Sequence, residues 1–187
     1  MNELFDIQVH VQPTPNPHAF KFIVNREVKA RGNVTYNNPE ECHNNELAKV
    51  LFSVEGVKQL YFFENVITVT FAEGVDLLSV EDRIVTLIKD KILAHDPSFS
   101  VEGDEQERRE KLPVNLRQIE EILDRTIRPA LQGDGGDLEV VSLIDDQLSV
   151  RYQGACGTCP SSTMGTLMAI EGILKEQFDP DIQVVSV

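Results

Sequence analysis

The chain has no tryptophan, only three cysteines in 187 residues, few basic groups and no long apolar run. Each shortage excludes something. No uncharged apolar stretch approaches the roughly 20 residues that a helix needs to cross a bilayer, so no membrane partner is expected. Three cysteines are too few for a disulfide framework. The first residues, Met1-Asn2-Glu3-Leu4-Phe5-Asp6, are acidic and lack a basic segment followed by an apolar one. They resemble neither a secretory signal nor an Arg-rich transit peptide, so the expected location is cytoplasmic, with the thiols kept reduced. Lys and Arg number 17 against 31 Asp and Glu, a net charge of -14. The stretch from 113 to 187 alone holds 5 basic and 12 acidic residues. Such a surface repels nucleic acid, and no nucleic-acid partner is expected.

Two of the three cysteines stand close together, in Gly154-Ala155-Cys156-Gly157-Thr158-Cys159-Pro160. A Cys-x-x-Cys pair can aim both sulfurs at one metal or cluster, or close on itself as a redox disulfide. Four ligands are usual for structural zinc and for iron–sulfur clusters. One chain supplies a single pair, because Cys42 is remote in sequence, so a metal reading implies a homodimer. The small residues Gly154, Ala155 and Gly157 leave room for a cluster or a partner backbone. Pro160 suits a first helical position, which puts Cys159 near a helix N-terminus, where free N–H groups favour a thiolate. Thr158, Ser161 and Ser162 offer hydroxyl donors to sulfur. The redox reading shares this geometry. The missing tryptophan weighs against it, since the Trp that precedes the first cysteine in thioredoxin-like proteins is absent.

The expected fold class is α+β: two small mixed domains, each a small sheet with a hairpin packed against helices. The polar run Gly103 to Pro113 separates them. The expected division is 1–100, a linker over 101–113, and 114–187. A polar linker implies that the two units move relative to each other. In the first unit, Ile7–Val11 and Phe20–Asn25 read as strands on either side of the rigid turn Pro13–Pro17. A short helix covers Glu46–Ser53, Val57–Phe63 and Val66–Phe71 form a hairpin, and a helix runs from Leu77 to Leu93. In the second, 116–131 is an amphipathic helix that Pro129 ends or kinks. A glycine-rich turn, Gln132 to Asp137, leads to a hairpin closed at Asp145-Asp146. A helix from about Pro160 to Phe178 and a last strand, Ile182–Val187, complete it. Asp134 and Asp137 read as turn or cap residues, Cys42 and His43 as surface residues, and Met164 and Met168 as core or interface filling.

Gly133-Asp134-Gly135-Gly136-Asp137, the following hairpin, and Cys156 to Ser162 closely resemble the C-terminal domain of NifU, the Nfu-type domain. Pro13-Thr14-Pro15-Asn16-Pro17 with Lys21-Phe22, Gly56-Val57 and Ile67–Thr70 resemble the companion Nfu N-terminal domain. The resemblance implies an iron–sulfur cluster scaffold or carrier that is not an enzyme. Its ligands would be Cys156 and Cys159, holding a labile [4Fe-4S] cluster bridged between two subunits. The cluster would come from upstream assembly proteins and pass to apo iron–sulfur targets. Cys42 matches no motif of that family. Two other readings stay open on the residues alone: a thiol–disulfide oxidoreductase with Cys156 as nucleophile, and a structural zinc bridging two chains.

Overall fold

The computed structural model describes residues 6–100, 105–157 and 163–187. The first sheet is entirely antiparallel, with strands β1 (Val9–Pro13), β2 (Ala19–Val24), β3 (Lys29–Tyr36), β4 (Val57–Glu64) and β5 (Val66–Phe71) in the order β1-β2-β5-β4-β3. Alternation decides its two faces, since residues paired across antiparallel strands point the same way. Phe22, Ile67, Phe62 and Val34 face helices α1 (Glu46–Phe52) and α2 (Leu77–Lys91), which bury Leu47, Leu51, Ile84 and Ile88 against them. Lys21, Thr68, Tyr61 and Asn33 line the other face.

Strand β3 is the main departure from the sequence reading, which placed no element there. Its register shifts between Lys29 and Asn33, and Gly32 has φ +63°. The bulge breaks the period-2 signal on which a strand reading depends. Cys42 is a second correction. It is fully buried in the first core, not at the surface. Burial, with Glu41 close by, pushes its thiol up to about 11. Only a thiolate attacks an alkylating reagent. Iodoacetamide at pH 8 should therefore leave Cys42 unmodified in native protein and label it after unfolding, as peptide mass spectrometry would show. Rapid native labelling would overturn its placement in the core.

The second sheet has the order β6-β7-β8. β6 (Gly136–Ile144) and β7 (Gln147–Gly154) form an antiparallel hairpin, and Asp145 takes φ +52° in its tight turn. Helix α6 (Thr163–Gln177) crosses over to β8 (Gln183–Ser186), which runs parallel to β7. The helix expected over 116–131 is two: α4 (Val114–Thr126) and α5 (Arg128–Gly133), divided at Ile127. Pro129 cannot donate to the carbonyl four residues back, so it sits in the first turn of a new helix. A short helix, α3 (Glu105–Glu110), lies within the polar run before α4. The freedom expected of that run contrasts with the structure, where β7 lies against β4 and β5 of the first sheet.

Candidate functional site

Cys156 stands two residues past the end of β7, in a turn closed by the Gly157 amide donating to the Gly154 carbonyl at 3.1 Å. The side chain is 5% exposed and packs with the second core. Cys159, with the helix start and hydroxyl donors expected at Thr158, Pro160, Ser161 and Ser162, lies outside the described residues. The described part of α6 begins at Thr163. Among the described residues, no group of three or more His, Cys, Asp and Glu side chains could hold a metal ion.

The glycines beside Cys156 are set by space. A Cβ on Gly136 would lie 2.6 Å from the Cys156 sulfur and from the Gln153 carbonyl. Gly154, at φ +59°, has the Gly135 carbonyl 2.7 Å from where a Cβ would be. The two ends of the β6–β7 hairpin therefore meet at bare backbone, and the Ala155 amide donates to the Gly135 carbonyl at 3.1 Å. This is the physical content of the glycine motif: it lets the cysteine turn close over the strand start. Tyr152 is buried in the same core as Cys156. Burial pushes its phenol up to about 12, against a hydrogen bond to Thr166 that lowers it, and charge on Cys156 raises it further.

Asp137 is the residue whose part the sequence did not disclose. It is 1% exposed and does more than cap a turn. Its Oδ1 accepts from Arg128 Nε at 3.0 Å and the Leu138 amide at 2.7 Å. Its Oδ2 accepts from Asn33 Nδ2 at 3.0 Å, Gln132 Nε2 at 3.1 Å and, at 3.4 Å, the Tyr61 hydroxyl. Buried Arg128 also pairs with Glu120 at 2.5 Å and Asp124 at 2.6 Å. A buried charge needs this density of partners. Asp134, by contrast, is exposed at the end of α5.

Two of the Asp137 partners, Asn33 and Tyr61, come from the first sheet, and further contacts cross with them. Asn16, from the Pro13–Pro17 turn, donates through Nδ2 to the carbonyl of Ala155, the residue before Cys156, at 3.0 Å. Lys21 Nζ donates to the Gly133 carbonyl. Asn16 of the Pro13–Pro17 turn and nearby Lys21 thus touch the cysteine turn and the glycine turn beneath it. Only the pairing of Asn16 with its own turn was foreseeable, since its side-chain oxygen caps the His18 amide.

Residues 119–185 match the family described as the NifU-like domain, and residues 8–95 match scaffold protein Nfu/NifU N terminal. Together the two matches span most of the chain, which belongs to the Nfu-type family of NifU-like proteins. A Drosophila ananassae protein named "NFU1 iron-sulfur cluster scaffold homolog, mitochondrial" is 31% identical over 181 residues, covering 95% of this chain and 63% of that protein. A Drosophila erecta protein of the same name is 30% identical over 184 residues, with the same coverage of 95% and 63%. The solution structure of a NifU-like protein from Saccharomyces cerevisiae superposes with a TM-score of 0.45 at 22% identity, over 50% of this chain and 85% of that one. The relatives correct one expectation. A cytoplasmic location was read from the acidic first residues, whereas these proteins are named as mitochondrial. The chain spans 63% of their length, so its opening residues carry no weight on compartment.

Proposed function

We propose that this chain is an iron–sulfur cluster carrier. Cys156 and Cys159 from each of two copies supply four thiolates to a labile [4Fe-4S] cluster, which is cargo accepted from assembly proteins and passed to apo targets. In this reading residues 1–100 and 114–187 are two domains joined by 101–113, and the chain catalyses no turnover of its own. The observation that carries the proposal is the placement of Cys156. It stands in a turn just past a strand end, which Gly136 and Gly154 allow to close tightly against the neighbouring backbone. The printed names of the relatives point the same way. Soft thiolates suit iron–sulfur clusters. A site split between two chains also opens when they part, which is what release requires.

The test is anaerobic reconstitution with iron and sulfide, followed by metal and sulfide analysis and native mass measurement. The expected product is a coloured dimer with about four iron and four sulfide, as four thiolates allow. Cys156→Ser and Cys159→Ser each remove the cluster and leave the far-UV spectrum unchanged. A stoichiometric cluster retained by Cys156→Ser would overturn the assignment. A colourless monomer that reduces insulin disulfides would establish the oxidoreductase reading instead.

A further inference from the structure

Helix α6 is unlike the other long helices of this fold. α2 and α4 bury one apolar face and turn charge outward. α6 buries Ile170 and Leu174 against the second sheet. Its outward face is apolar as well. Met164 is 76% exposed and Met168 71%. Gly165, Ala169 and Gly172 are exposed beside them. A Cβ on Gly165 or Gly172 would meet nothing within 4 Å. From Thr163 to Ile170 the helix carries no charged residue, and its later Glu171 pairs with Lys175 at 2.7 Å. Met164 and Met168 are four apart, hence neighbours along the helix surface. Over residues 164–170, before Glu171, Lys175 and Glu176, the helix is apolar both inward and outward, and an exposed apolar patch of that kind marks a contact surface.

This face lies close to the cysteine motif along the chain, since Met164 is five residues after Cys159. Two features select its occupant. A site that offers two thiolates is incomplete without another copy of the same chain. Two copies of a chain with net charge -14 repel each other, and they approach at least cost through a surface that bears no charge. Small residues let two such helices come close, and the flexible, polarisable Met side chains fill the gaps between them. One patch meeting itself also satisfies the two-fold symmetry usual for homodimers.

We infer that the outward face of α6, with Met164 and Met168 flanking Gly165, Ala169 and Gly172, is the surface on which a second copy of this chain packs when the cluster is bound. The inference rests on the carrier reading and adds where the two copies touch. It leaves Cys156 and Cys159 as the ligands.

The experiment reconstitutes the full chain anaerobically as wild type, as Met164→Glu/Met168→Glu and as Met164→Leu/Met168→Leu. Iron and sulfide content and sedimentation are then measured. Both positions are exposed, so circular dichroism and free-thiol counts should match the wild type in every variant. In the Glu variant, dimer and cluster content should fall at least about tenfold, because burying carboxylates at an apolar contact is costly. The Leu variant should load normally. A Glu variant that forms the same cluster-bound dimer overturns the inference while leaving the carrier reading intact. A Glu variant that dimerises and loads but fails to pass its cluster to an apo acceptor also overturns it, and assigns the face to targets. A wild type that takes up no iron or sulfide overturns both.

Discussion

Asp137→Ala should cost about 3–5 kcal/mol, the range for removing one partner of a buried charge pair. That is a large share of the 5–15 kcal/mol by which domains are typically stable. The cause is Arg128, which would keep its burial and lose the acceptor for its Nε. Asp137→Asn separates charge from shape. Every group that meets the carboxylate is a donor or can act as one: Arg128 Nε, the Leu138 amide, Asn33 Nδ2, Gln132 Nε2 and the Tyr61 hydroxyl. An amide presents one oxygen and one NH2, so its NH2 would face donors wherever it pointed. The Asn variant should fold, unfold in less urea than the wild type, and show faster amide exchange around Gly135 and Ala155. Wild-type stability in both variants would mean that the carboxylate is not held as described.

Gly136→Ala should damage the cysteine turn itself. Its Cβ would stand 2.6 Å from the Cys156 sulfur and the Gln153 carbonyl, and 2.8 Å from the Cys156 amide. Two of these three atoms are backbone and cannot rotate away. Overpacking of this kind costs about 1–3 kcal/mol. Here the relief must come from the turn that presents Cys156, so reconstituted iron and sulfide should drop more steeply than stability does. Gly133→Ala is the matched control in the same motif. Nothing lies within 4 Å of its would-be Cβ, and it sits in the last turn of α5. It should be neutral, or stabilising by up to about 1 kcal/mol. Equal cluster loading in Gly136→Ala and Gly133→Ala would refute the spatial account.

The elements legible in the sequence are those with regular periods and short connections. The β4–β5 and β6–β7 hairpins are local, and alternation or turn chemistry marks them. The apolar face of α4 is likewise written at helical spacing. Strand β3 escaped because a bulge and two buried polar residues, Lys29 and Asn33, obscure its alternation. Cys42 looked like a surface residue because its flanks, Glu40, Glu41 and His43, are polar, yet only its own side chain turns into the core. The cysteine motif was plain as a pattern. Its supports were not, since Asn16 and Ala155 are 139 residues apart, and Asn33 and Asp137 are 104 apart. No local spacing encodes such a pairing.

The contacts that join the two sheets have a common character. Asn33 to Asp137, Tyr61 to Asp137, Asn16 to Ala155 and Lys21 to Gly133 are all polar. Water can take over bonds of this kind almost one for one, so each adds little net cohesion. Their direction is another matter, because several donors must converge on one carboxylate for the junction to close. The junction therefore works as a registration mark more than as an adhesive: it dictates where the halves meet and asks little for letting them part.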